Sequence, residues 1–138
     1  MHLIFFALLF SFGMNSTPKS PRDFAWQNRI LILESYPGDS IWFDADLLAG
    51  LQERKLHVFL LDGPKLAKST FKGEIDTSKF LEILKPKSKS KVRWALIGLD
   101  GGVKNRGLEN PTPSQIFRII DAMPMRQSEL DKRGKKLN

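Results

Sequence analysis

Four short apolar runs and three stretches with helical spacing punctuate the chain. The runs lie at Leu3–Met14, Arg29–Ser35, Leu56–Leu61 and Val92–Leu99. A continuous run of the length of Arg29–Ser35 suits a strand buried on both faces, and Leu56–Leu61 and Val92–Leu99 read as further strands. Between Ser40 and Lys55, Leu47, Leu48 and Leu51 fall on one helix face, and Ser40 or Asp44 is placed to cap its start. Asp76-Thr77-Ser78 opens a short helix through Phe80, Leu81 and Leu84 that stops before Pro86. Thr112-Pro113-Ser114-Gln115 has a capping Thr, a Pro at the first helical position and a Gln three residues after the cap. Ile116, Phe117, Ile119, Ile120 and Met123 then make an apolar face, and Pro124 ends or kinks the helix. Lys65–Glu74 fits neither period.

Turn chemistry connects these elements. Asp100-Gly101-Gly102 follows the Val92–Leu99 strand and predicts a hairpin, with Val103–Arg106 as the returning strand. The first two internal strands, joined by a helix, form a βαβ unit with a right-handed crossover. The order is β-α-β-α-β-β-α. It predicts an α/β, three-layer sandwich around a four-stranded mixed sheet, which is a thioredoxin-like arrangement by element order.

Length and composition add a boundary. With 138 residues, one domain is expected, and ten Phe, one Tyr and three Trp are ample for a core. No cysteine occurs. That excludes thiol–disulfide exchange, thiol peroxidase chemistry, cysteine metal sites and iron–sulfur clusters on this chain. His2 and His57 make no histidine metal motif, and no cofactor is expected. His57 reads as a strand residue with a satisfied ring, and Trp26, Trp42 and Trp94 as core or rim aromatics.

The first apolar run is too short to span a bilayer and has the length of a signal-peptide core. It carries no charge, and its leading segment holds His2 but no Lys or Arg. Cleavage is expected after Gly13, giving a signal peptide over 1–13, a flexible lead-in over 14–23, a domain over 24–130 and a basic tail over 131–138. Export, to a periplasm or outside the cell, follows. The polar stretch from Arg126 to Asn138 is expected to fray.

Three strings point further: Trp26-Gln27-Asn28-Arg29, Gly98-Leu99-Asp100-Gly101-Gly102-Val103-Lys104, and Asp121-Ala122-Met123-Pro124-Met125-Arg126-Gln127. On these the chain resembles the domain of unknown function 4174 family over about residues 24–130. The resemblance implies a fold similar to thioredoxins and peroxiredoxins, in bacterial exported proteins, with relatives in animal secreted and matrix proteins. It implies no established activity.

In a thioredoxin-like fold the redox thiols follow the first strand, where a helix N-terminus lowers their pKa. Here that place reads Tyr36–Phe43, and Ser40 has no base in sight to make its hydroxyl a nucleophile. The proline expected before the third strand is replaced by Arg93. Asp39, Ser40, Arg93, Asp100 and Lys104 are candidates for an anion or polar-ligand surface if they converge at one sheet end. Otherwise Asp39 caps a helix, Asp100 builds the turn, and Arg93 and Lys104 are solvated or paired. Lys85, Lys87, Lys89, Lys91 and Arg93 put five cations in nine residues, and the formal net charge is +7. This stripe either solvates a loop or docks on an anionic polysaccharide or lipid head groups.

Three functions therefore stand. The first is an exported, non-redox binding module for an unknown protein or anionic surface. The second is an enzyme with a non-thiol site near Asp39, Arg93 and Lys104. The third is a basic nucleic-acid-binding protein, which export would disfavour, as would the few aromatics among the cations.

Overall fold

The computed structural model describes residues 16–136. The expected signal peptide and the first residues of the lead-in lie outside them, as do the last two residues of the basic tail.

Strands β1 (Arg29–Glu34), β2 (Leu56–Asp62), β3 (Lys65–Ser69), β4 (Trp94–Ile97) and β5 (Val103–Gly107) form one sheet in the order β3-β2-β1-β4-β5. β1 runs parallel to β2 and antiparallel to β4, and the two outer pairs are antiparallel. Helices are α1 (Ala45–Glu53), α2 (Thr77–Leu84), α3 (Pro113–Asp121) and α4 (Pro124–Lys136).

The alternation along β1 builds both faces. Leu31 and Leu33 pack with Trp42, with Leu51 of α1, and with Ile116 and Ile120 of α3. Ile30 and Ile32 pack on the opposite face with Phe24, Phe59 and with Phe80 and Leu84 of α2. Each β1 residue from Arg29 to Leu33 is buried, as a central strand covered on both sides requires. The sheet thus lies between two helical layers.

Three expectations need correction. The sheet has five strands, not four. The extra one is β3, drawn from the Lys65–Glu74 stretch, which pairs with β2 through a tight Gly63-Pro64 turn. Its exposed polar positions obscured the period because β3 is an edge strand. The helix expected over Ser40–Lys55 is two elements, a 3-10 turn at Asp39–Phe43 and then α1. The turn buries Trp42 fully, a position the continuous helical pattern did not single out. The polar C-terminal stretch is the helix α4, not a frayed end, for reasons found in its charges.

Other local signals hold. Thr112 Oγ1 accepts from Gln115 N at 3.2 Å, and Gln115 Oε1 accepts from Thr112 N at 2.9 Å, closing the capping box of α3. Pro124 falls where α3 has ended and α4 begins. At the β4–β5 hairpin, Gly101 sits at φ +83°, and Gly98 N donates to Gly102 O at 2.9 Å. Residues before β1 are also tied down. Lys19 N donates to Glu74 O at 3.0 Å, and Ser20 caps a 3-10 turn at Pro21–Phe24.

Candidate functional site

The sheet register divides the candidate residues between two ends. Leu33 pairs with Trp94, so the segment before β4 adjoins the carboxyl end of β1. There Glu34 N donates to Arg93 O at 2.8 Å. Ile30 pairs with Ile97, so the Asp100 hairpin adjoins the amino end of β1. Asp39, Ser40, Lys91 and Arg93 therefore stand at one end of the sheet, and Asp100 and Lys104 at the other. The convergence considered from sequence does not occur, and a site built from Asp39, Arg93 and Lys104 together has no geometry here.

Each carboxylate already has local work. Asp39 Oδ2 accepts from Ser35 Oγ and from Tyr36 N, both at 3.0 Å, and so shapes the turn after β1. Trp42 Nε1 donates to Tyr36 Oη at 3.0 Å, which pins the same turn to the core. Ser40 is exposed. Asp100 Oδ1 accepts from Gly102 N at 2.9 Å, and its Oδ2 accepts from Lys104 Nζ at 2.6 Å. The Lys104 bond, helped by the Gly102 N–H, holds the Asp100 carboxyl below its ordinary value.

The carboxyl end of β1 and β2 is the cationic end. Lys85, Lys87, Lys89, Lys91 and Arg93 are all exposed there. Lys91 Nζ lies 3.2 Å from Glu34 Oε1, while Lys87 and Lys89 make no ion pair among the described residues. Beside this pair a cleft of about 470 Å³ opens between the end of β2 and α2. In sheets with parallel strands, ligands bind outside the strands' carboxyl ends.

The opposite end holds a charge network that the sequence reading passed over. Arg29 and Arg126 are 0% and 2% exposed. Arg29 Nη1 donates to Glu129 Oε1 at 3.3 Å and to Arg54 O at 2.9 Å. Arg126 donates to Asp121 Oδ1 at 3.3 Å, Glu129 Oε2 at 3.2 Å and Glu53 Oε1 at 3.1 Å. Arg133 adds a bond to Glu53 Oε1 at 2.9 Å. Burial pulls Arg29 down from the ordinary guanidinium value, with Glu129 opposing. Arg126 is raised despite burial, because Glu129, Asp121 and Glu53 all accept from it. Hydrogen bonds from Arg54, outweighing partial burial, lower Asp121. This network docks α4, which offers little apolar surface of its own.

A family model described as Domain of unknown function (DUF4174) matches residues 20–129. The chain belongs to that family. No curated protein and no solved structure matches it. The DUF4174 match opens on Ser20, which caps the first 3-10 turn, and closes on Glu129, the carboxylate between Arg29 and Arg126. Two of the three strings quoted above, the one ending at Arg29 and the one from Asp121 to Gln127, thus meet in this network. In this chain the network is a structural device that fastens α4 to the sheet end. Its charges are spent on one another and on backbone carbonyls, apart from Arg29 Nε and Nη2, which face no acceptor among the described residues. Among the described residues there is no cluster of metal-binding side chains, and no helix is long and apolar enough to cross a membrane.

Proposed function

We propose that this DUF4174 chain is an exported, thioredoxin-like binding module that holds an anionic partner at its cationic end and carries out no thiol redox chemistry. One observation carries it. At the place where a thioredoxin-like fold keeps its thiols, Tyr36, Asp39 and Trp42 are bonded to one another and to the turn, while the neighbouring Lys87 and Lys89 stay exposed and unpaired among the described residues. The turn that would carry thiols is taken up by its own hydrogen bonds, and the charge beside it is available.

The strand order supports the fold assignment. β2-β1-β4-β5, with β1 parallel to β2 and antiparallel to β4, is the thioredoxin-like core order, and β3 is an addition at its edge. The uncharged run Leu3–Met14 supports export. An anionic polysaccharide or a surface of acidic lipid head groups suits a stripe of lysines, which act as flexible point charges.

Retention on a heparin matrix under a salt gradient tests the proposal. Lys87→Ser with Lys89→Ser is expected to elute at lower salt with unchanged thermal stability. Identical elution of variant and parent removes the cationic end from the function. Recovery of the intact N-terminus in the cytosol of its source cell removes export.

A further inference from the structure

We infer that the cleft between β2 and α2 is a binding site for a free α-amino acid with a large apolar side chain. The inference stands apart from the proposed function, because it concerns a small zwitterion in the cleft and not a polyanion on the lysine stripe.

Leu61, Leu81 and Leu84 give the cleft an apolar floor, and Lys85 stands at its edge at the end of α2. Its polar wall is the Glu34–Lys91 pair at 3.2 Å, faced from α2 by Ser78 and by Glu82, which is itself paired with Lys79 at 3.7 Å. An apolar floor with a few convergent polar groups is the usual make-up of a small-molecule site. The cleft's volume of about 470 Å³ admits one such ligand with room for its side chain.

Glu34 is the informative group. Its Oε1 accepts from Lys91, but its Oε2 is closed off from water and has no hydrogen-bond partner among the described residues. An ionised carboxylate seeks several donors, and one buried oxygen left without any is costly. A small turn of the carboxylate toward the cleft would let a ligand ammonium serve that oxygen in a charge-assisted bond. Lys91 would then turn a free N–H toward the ligand's carboxylate, with Lys85 behind it. A carboxylate and an ammonium held 3.2 Å apart mirror the two opposite charges that an α-amino acid carries on one carbon. A simple anion would meet Glu34 with like charge, and a simple amine would meet Lys91. The zwitterion satisfies both, and its side chain covers the leucines.

The test is isothermal titration of the purified chain with L-phenylalanine, N-acetyl-L-phenylalanine and phenethylamine, repeated on Glu34→Gln. L-Phenylalanine is expected to bind, and loss of either charge on the ligand to weaken binding about ten-fold or more. Glu34→Gln, similar in shape and checked for an unchanged melting profile, is expected to weaken L-phenylalanine to the same degree. Absence of binding by L-phenylalanine overturns the inference. So does equal binding of all three compounds, or binding indifferent to Glu34→Gln. Elution of Glu34→Gln from heparin at the parent's salt concentration or higher keeps this result separate from the fate of the lysine stripe.

Discussion

Arg54 grips Asp121 with two parallel hydrogen bonds, Nε to Oδ1 at 3.0 Å and Nη2 to Oδ2 at 2.9 Å. The fork joins the end of α1 to the end of α3, and the Arg54 guanidinium also stacks 4.1 Å from the Phe117 ring centre. Asp121→Ala strips Arg54 and Arg126 of a shared acceptor. Because Asp121 is partly exposed, the expected loss is about 1–2 kcal/mol, less than for a fully buried charge pair. The shift of the urea midpoint measures it, with Asp121→Asn expected to fall between the two.

Glu129 matters more, because Arg29 beneath it has no exposure at all. Glu129→Ala leaves the buried Arg29 guanidinium with one backbone carbonyl, Arg54 O, among the described residues. Removing one partner of such a pair costs about 3–5 kcal/mol. Arg29→Met combined with Glu129→Leu removes both charges and is expected to recover part of that loss, although Arg126 also gives up an acceptor. Chemical denaturation of the three proteins checks the order: parent, then double variant, then Glu129→Ala.

Acid is expected to weaken the fold in two steps. Burial, with Lys19 nearby, holds His57 below its ordinary value of 6.5. The unfolded chain then binds the proton more readily, so stability is lost as pH falls below 6.5. Glu53 is held low chiefly by Arg133 and then Arg126, and Asp121 by Arg54, from ordinary values of 4.5 and 3.8. Depressed carboxylates stabilise the fold above those values, and their contribution drains away as pH falls below them. Melting temperature followed from pH 8 to pH 3 should decline in both windows. In His57→Gln the first decline is expected to disappear and the second to remain.

The legible part of this protein was its interior. β1, β2 and β4 are largely apolar runs, and the Thr112 capping box and the Asp100 hairpin name their own geometry. What escaped was decided by partners distant in the chain. β3 reads as nothing in particular because an edge strand with one half-covered face needs little apolar patterning. α4 reads as a solvated tail, yet Arg126 and Glu129 are bound to residues from the start and middle of the chain. A basic and an acidic residue three apart carry no mark of burial. The Asp121–Gln127 string carries a family resemblance, but its ionic role depends on partners distant in the chain. The five cations were plain in sequence. Their separation from Asp100 and Lys104 by the length of the sheet was not, since it depends on the direction of β4.

Gly107 ends β5 against the Trp94 indole. A Cβ placed there would lie 2.6 Å from Trp94 Cε2, closer than side chains approach. Gly107→Ala should therefore cost about 1–3 kcal/mol through displacement of the indole. Trp94 fluorescence and the thermal midpoint are expected to shift together. A shift of neither would place slack in that corner of the core.

Gly101 offers a cleaner comparison. Its Cβ would meet only Ala25 at an ordinary 3.4 Å, so a cost from Gly101→Ala reflects the positive φ of +83°. About 1–2 kcal/mol is expected, measured by thermal melting, with Gly101→Val costing more.

The bond between Arg29 and Glu129 joins residues separated by 100 positions. β1, the strand at the middle of the sheet, is made long before the acid that neutralises its arginine. A nascent chain therefore cannot form this pair until Glu129 has left the exit tunnel. Until then the buried arginine at the start of β1 lacks its countercharge.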